Sequence, residues 1–125
     1  MLKLIENDYF IGKHKIIELA KKFGTPFYVY DLDKVEQQIK ELKENIGTYP
    51  KTRFLYAIKA LYNPYIVKYI VSREFGIDAV SLNEAKLGLY CGAKPENVFL
   101  TENNASDEEV EEAFKLGITL NFGSL

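Results

Sequence analysis

Lys59 closes the apolar run Arg53-Phe54-Leu55-Tyr56-Ala57-Ile58 and stands directly before Ala60-Leu61-Tyr62-Asn63-Pro64. A lysine in that place sits where a buried strand opens toward a helix. Taken as a strand, the run alternates, with Phe54, Tyr56 and Ile58 on one side and Leu55, Ala57 and Lys59 on the other. The bulkier side suits packing under helices, and the side that ends in Lys59 suits the interior of a barrel. A primary amine held in a partly dry pocket loses its charge more readily than one in water, because desolvation disfavours the ammonium form. The neutral amine is a nucleophile that can form a Schiff base with a carbonyl. Taken alone, the same pattern also describes an ordinary lysine at the end of a strand with its head in solvent.

The elements that would position Lys59 are legible around it. Ile16, Ile17, Leu19 and Ala20 make a short apolar-rich helix that stops at Phe23-Gly24, glycine being the usual residue just past a helix end. Phe27-Tyr28-Val29-Tyr30 has the aromatic and β-branched content of a strand. Asp31 or Asp33 can cap the next helix, whose stripe of Leu32, Val35, Ile39, Leu42 and Ile46 runs to Gly47. After Lys59, Asn63 as N-cap and Pro64 at the first helical position open a helix that buries Ile66, Val67, Ile70 and Val71.

From there a strand and helix unit repeats. Ile77-Asp78-Ala79-Val80 reads as a strand, Ser81 with Glu84 as a capping box on a helix through Tyr90, and Val98-Phe99-Leu100 as the next strand. Ser106 with Glu109 repeats the capping box, and Gly117 leads into Ile118-Thr119-Leu120-Asn121-Phe122. The strand starts at Phe54, Ile77, Val98 and Ile118 lie 23, 21 and 20 residues apart. Such spacing predicts parallel strands with helical crossovers, an α/β fold that is either an open doubly wound sheet or part of a (β/α)8 barrel. A whole barrel takes roughly 250 residues, and this chain has 125.

Composition excludes several classes. Sixteen basic and 18 acidic residues give a net charge of −2, scattered rather than clustered, so the footprint of a nucleic-acid binder is missing. The single cysteine, Cys91, allows no internal disulfide and no multi-cysteine metal site, and next to Gly92 at a helix end it reads as a packing residue. Charge interrupts the N-terminal apolar residues too early for a signal peptide, and no apolar run approaches membrane length, so the expected location is cytoplasmic. His14 lies in a charged stretch and reads as a surface residue. Asn103 and Asn104 follow a strand at the would-be active face, yet asparagines are also ordinary turn residues.

Several blocks, in register, carry a resemblance. Gly24-Thr25-Pro26-Phe27-Tyr28-Val29-Tyr30-Asp31, Tyr56-Ala57-Ile58-Lys59-Ala60 with Asn63-Pro64, and Gly76-Ile77-Asp78-Ala79-Val80-Ser81 with Glu84 resemble the opening third of the diaminopimelate decarboxylase family. Val98-Phe99-Leu100-Thr101 to Ser106-Asp107-Glu108-Glu109 and Leu120-Asn121-Phe122-Gly123-Ser124-Leu125 keep the same order. That family belongs to the alanine-racemase-like, group IV decarboxylases that depend on pyridoxal 5'-phosphate and also act on ornithine and arginine. The resemblance implies residues 1–30 as a lead segment whose helix and strand join a C-terminal β domain. It implies residues 31–125 as the first four strands and three intervening helices of a cofactor-binding (β/α)8 barrel.

By the same resemblance Lys59 holds the cofactor covalently, Asp78 lies close to it, and the complete enzyme is a homodimer in lysine biosynthesis. Asp78 also has a plainer role as an acid in the turn before a helix, and capping alone explains Ser81 and Glu84. Ala60-Leu61 stands where the family commonly has Ala-Asn, and Leu82-Asn83-Glu84 where many relatives carry small residues before the acid; both bear on substrate preference or cofactor contacts. The family's glycine-rich phosphate loop, ring-nitrogen carboxylate and stacking imidazole fall beyond Leu125, which implies that these residues alone are inactive. A sister ornithine, arginine or carboxynorspermidine decarboxylase, or a non-catalytic scaffold or complementing partner, remain the alternatives. An alanine racemase fits less well, since Ala60-Leu61-Tyr62-Asn63 does not reproduce that enzyme's Ala-Tyr-Gly-His type stretch.

Overall fold

A computed structural model describes residues 2–46, 49–102 and 104–123. The chain divides into two compact units, Met1–Pro50 and Lys51–Leu125.

The first unit opens with an antiparallel meander of β1 (Leu2–Ile5), β2 (Asp8–Ile11) and β3 (His14–Lys15). Glu6 and Asn7 both take positive φ, 48° and 67°, in the two-residue turn between β1 and β2, the conformation whose twist matches paired strands. Sequence patterning misses this meander, because Glu-Asn is not a turn signature and the strands are only two to four residues long. Lys15 donates to Asp8 at 2.8 Å, which ties β3 back to the start of β2 and raises the lysine's pKa.

Helix α1 (Ile16–Phe23) ends at Gly24, whose φ of 81° needs no Cβ. Helix α2 (Leu32–Ile46) begins on Asp31, whose carboxylate accepts from the backbone N–H groups of Asp33 and Lys34. The expected stop at Gly47 lies outside the described residues. The expected strand at Phe27-Tyr28-Val29-Tyr30 is a correction: the segment has no ladder partner among the described residues. Aromatic and β-branched content measures fit to a pleated, half-buried surface and makes a strand only where a neighbour supplies the hydrogen bonds.

The second unit alternates β4 (Leu55–Ala57), α3 (Pro64–Val71), β5 (Gly76–Ala79), α4 (Leu82–Tyr90), β6 (Val98–Glu102), α5 (Asp107–Leu116) and β7 (Thr119–Phe122). The four strands are parallel and lie in the order β4-β5-β6-β7. Unbroken sequential order is that of a barrel wall, whereas a doubly wound sheet reverses direction at a switch point. The unit is therefore a partial (β/α)8 barrel, with four strands and the three helices between them.

Register sorts the strand residues into two faces. Tyr56, Ile77 and Val98 form one row and Ala79, Leu100 and Leu120 another on the same face, while Ala57, Asp78, Phe99 and Thr119 form a row on the opposite face. Ile58, Ile77, Ala79 and Val98 are fully buried, in one cluster with Val67 of α3, Leu82 and Ala85 of α4 and Ala113 of α5. The opposite face is left open by these helices, with Leu55, Thr119 and Asn121 exposed and Asp78, Phe99 and Thr101 half-buried.

Helix starts follow the predicted chemistry. Asn63 accepts from the N–H groups of Tyr65 and Ile66, and Ser106 with Glu109 forms a complete capping box. Gly88 of α4 lies so close to β5 that a Cβ there would come within 2.8 Å of Cγ1 of Ile77.

Candidate cofactor site at the strand ends

The strand expected to end at Lys59 ends two residues sooner, and Lys59 sits in a 3-10 turn, Ile58–Ala60. The reason lies in the packing. Ile58 plugs the buried cluster under the helices, and the chain then turns so that the Leu61 N–H donates to the Ile58 carbonyl at 3.1 Å. The Tyr56 hydroxyl donates to the Leu61 carbonyl at 3.0 Å and braces the same turn from the strand. Lys59 is left exposed beyond the end of β4, with the turn against β5.

Asp78 pairs in register with Ala57, two residues before Lys59, on the face the helices leave open. Asp78 is half-buried, and neither its carboxylate nor the exposed Lys59 amine makes a hydrogen bond or ion pair among the described residues. One turn onward, Ser81 caps α4 by accepting from the Glu84 N–H at 3.3 Å. The Glu84 carboxylate accepts from the Val80 N–H at 2.9 Å, so both residues are occupied by the helix start. That arrangement is a capping box displaced by one residue.

Asn103 lies outside the described residues, and Asn104 is exposed. His14 lies in β3, in the other unit, and is exposed. Cys91 is buried, its thiol donating to the Pro64 carbonyl at 3.5 Å, and burial pushes its pKa up. It packs between α3 and α4, as expected.

Two residues that sequence reasoning passed over share the face of Asp78. Thr101 and Asn121 pair in register at the C-terminal ends of β6 and β7, and the Asn121 amide donates to the Thr101 hydroxyl at 3.3 Å. The signal was available in the alternation, since each stands two residues after a member of the Asp78 row.

Asp78, Thr101 and Asn121 thus share one open face of the strands, and the Lys59 amine follows in the turn after β4. Residues 32–125 match the family model described as pyridoxal-dependent decarboxylase, pyridoxal binding domain. The chain belongs to this family. Pyridoxal 5'-phosphate is the family's cofactor, and an unpartnered amine just past β4 and an unpartnered carboxylate on the neighbouring strand fit a group that carries an aldehyde. Diaminopimelate decarboxylase of Thermoplasma acidophilum is 32% identical over 114 residues, covering 91% of this chain and 28% of that protein. The crystal structure of AQ1208 from Aquifex aeolicus superposes with a TM-score of 0.90 at 29% identity, over 98% of this chain and 30% of that one. Diaminopimelate decarboxylase from Helicobacter pylori, an I148L mutant complexed with L-lysine, gives 0.78 at 35% identity, over 86% and 27%. Ornithine decarboxylase from Entamoeba histolytica gives 0.75 at 29%, over 87% and 35%. The chain spans about a third or less of the length of each of these proteins.

Proposed function

We propose that this chain supplies the cofactor-anchoring part of a pyridoxal-phosphate-dependent decarboxylase that converts meso-diaminopimelate to L-lysine and carbon dioxide. The observation that carries the reading is Lys59, held by a braced turn just past β4, with the unpartnered Asp78 on the neighbouring strand. In this reading residues 1–30 are a lead segment outside the barrel and 31–125 are barrel, a division supported by the family match that begins at Leu32.

The bound cofactor supplies an electron sink for the pair left on the α-carbon when a carboxylate departs as carbon dioxide. The roles of the chain's own residues follow from their chemistry. Lys59 holds the cofactor through Nζ, and after release that amine is placed to carry a proton. Asp78, in register with Ala57 on the open face, is the carboxylate that would orient the amine. The Tyr56 to Leu61 bond keeps the turn from swinging the amine away, and a small displacement of a reacting group costs much of its rate.

Diaminopimelate is preferred over ornithine because similarity to diaminopimelate decarboxylases is found both in sequence and in solved structure. Ornithine is the second reading, supported by the likeness to the Entamoeba histolytica enzyme. Adding pyridoxal phosphate to the protein should produce an absorption band that Lys59→Ala abolishes and Asp78→Asn weakens. Carbon dioxide release by the full-length protein should be faster from meso-diaminopimelate than from ornithine or arginine. A band unchanged by Lys59→Ala would contradict the anchor, and faster release from ornithine would contradict the substrate.

A further inference from the structure

The Asp78 row is Ala57, Asp78, Phe99 and Thr119, and one step further toward the strand ends come Thr101 and Asn121 in register on the same face. Lys59 lies two residues beyond Ala57, in the turn that follows β4. Adjacent strands are about 4.8 Å apart, so β6 lies about 10 Å from β4, with β5 and its Asp78 between. A lysine side chain extended by a substituted pyridine ring spans that gap. The hydrogen bond between Thr101 and Asn121 also has a direction. Asn121 donates its amide to the Thr101 oxygen, which leaves the Thr101 hydroxyl proton free to point away from β7 and over the open face.

We propose that Thr101, oriented by Asn121, donates a hydrogen bond to the phenolic ring oxygen of the pyridoxal cofactor held at Lys59, and so fixes the tilt of the ring over the sheet. The inference rests on the anchoring role of Lys59 argued above. The ring oxygen fits better than the phosphate, because a phosphate is ordinarily met by several donors at once, commonly backbone N–H groups, and this pair offers a single hydroxyl. Thr101 is a positioning residue and Asn121 its support.

The test measures cofactor affinity by absorbance and fluorescence, with pyridoxal and pyridoxal phosphate as separate probes, and follows each variant's thermal melt. Thr101→Val, which removes the hydroxyl and keeps the shape, should weaken both probes about tenfold, the scale of a hydrogen bond to a charged group. Thr101→Ser should restore affinity to within about twofold of the wild type, as expected when the hydroxyl alone makes the contact. The bound cofactor's absorption maximum should shift in Thr101→Val and return in Thr101→Ser. Asn121→Leu, at an exposed neighbour, gives a second reading should Thr101→Val lower the melting temperature, and should weaken both probes severalfold. Unchanged affinity in Thr101→Val and Asn121→Leu, with binding still dependent on Lys59, would overturn the inference and leave the anchor standing. So would a loss seen with pyridoxal phosphate and not with pyridoxal. Absence of any Lys59-dependent binding in the wild type would overturn both.

Discussion

The Lys59 amine is useful only if its backbone is fixed, and two hydrogen bonds converging on Leu61 do that: its N–H to Ile58 and its carbonyl from Tyr56. Tyr56→Phe removes one and leaves the other, so we expect a stability loss of about 1 kcal/mol. Trapping of pyridoxal phosphate at Lys59 by borohydride should also slow, while the secondary structure seen by circular dichroism stays the same. Cys91 makes a contrasting prediction, because burial raises its pKa and keeps it a thiol where a free cysteine is partly thiolate. A raised folded value contributes stability fully present below the unfolded pKa of about 8.5 and lost as pH rises through the folded one. Disulfide-exchange reagents at about pH 8 should therefore react with Cys91 much more slowly in the folded chain than in urea.

At the scale of elements, the predicted helices formed close to their expected bounds because capping chemistry is local. Asn63-Pro64, Ser81 with Glu84, and Ser106 with Glu109 each satisfy the first free N–H groups of a helix with neighbouring residues. Strands were less legible. Phe27-Tyr28-Val29-Tyr30 has the composition of a strand and no partner among the described residues, while Leu2–Ile5 lacks a turn signature and pairs with Asp8–Ile11. Whether a segment is a strand depends on a neighbour that sequence alone does not reveal. Gly88 shows a similar limit: in sequence it is a weak spot in a helix, and in the fold it is where α4 rests on Ile77. Gly88→Val should cost about 1–3 kcal/mol in urea unfolding, since fully buried Ile77 has no room to withdraw.

For the whole molecule, even spacing of strands and helices predicts the α/β class, and the unbroken order β4-β5-β6-β7 decides for the barrel wall. The candidate site was half legible. Lys59 stands out as a polar residue ending an apolar run and Asp78 as a lone acid within the next one, whereas Thr101 and Asn121 emerge only when parallel register puts them side by side. Among the described residues no helix is long and apolar enough to cross a membrane, and no cluster of three or more potential ligands could hold a metal ion. What gathers at the strand ends is amine, carboxylate and hydroxyl, which suits an organic cofactor held by its aldehyde. The most direct test of that account is borohydride reduction of the protein with pyridoxal phosphate, followed by peptide mapping. The account predicts a single pyridoxyl modification at Lys59, absent in Lys59→Ala; label spread over surface lysines such as Lys21, Lys22 and Lys43, or undiminished in Lys59→Ala, would contradict it.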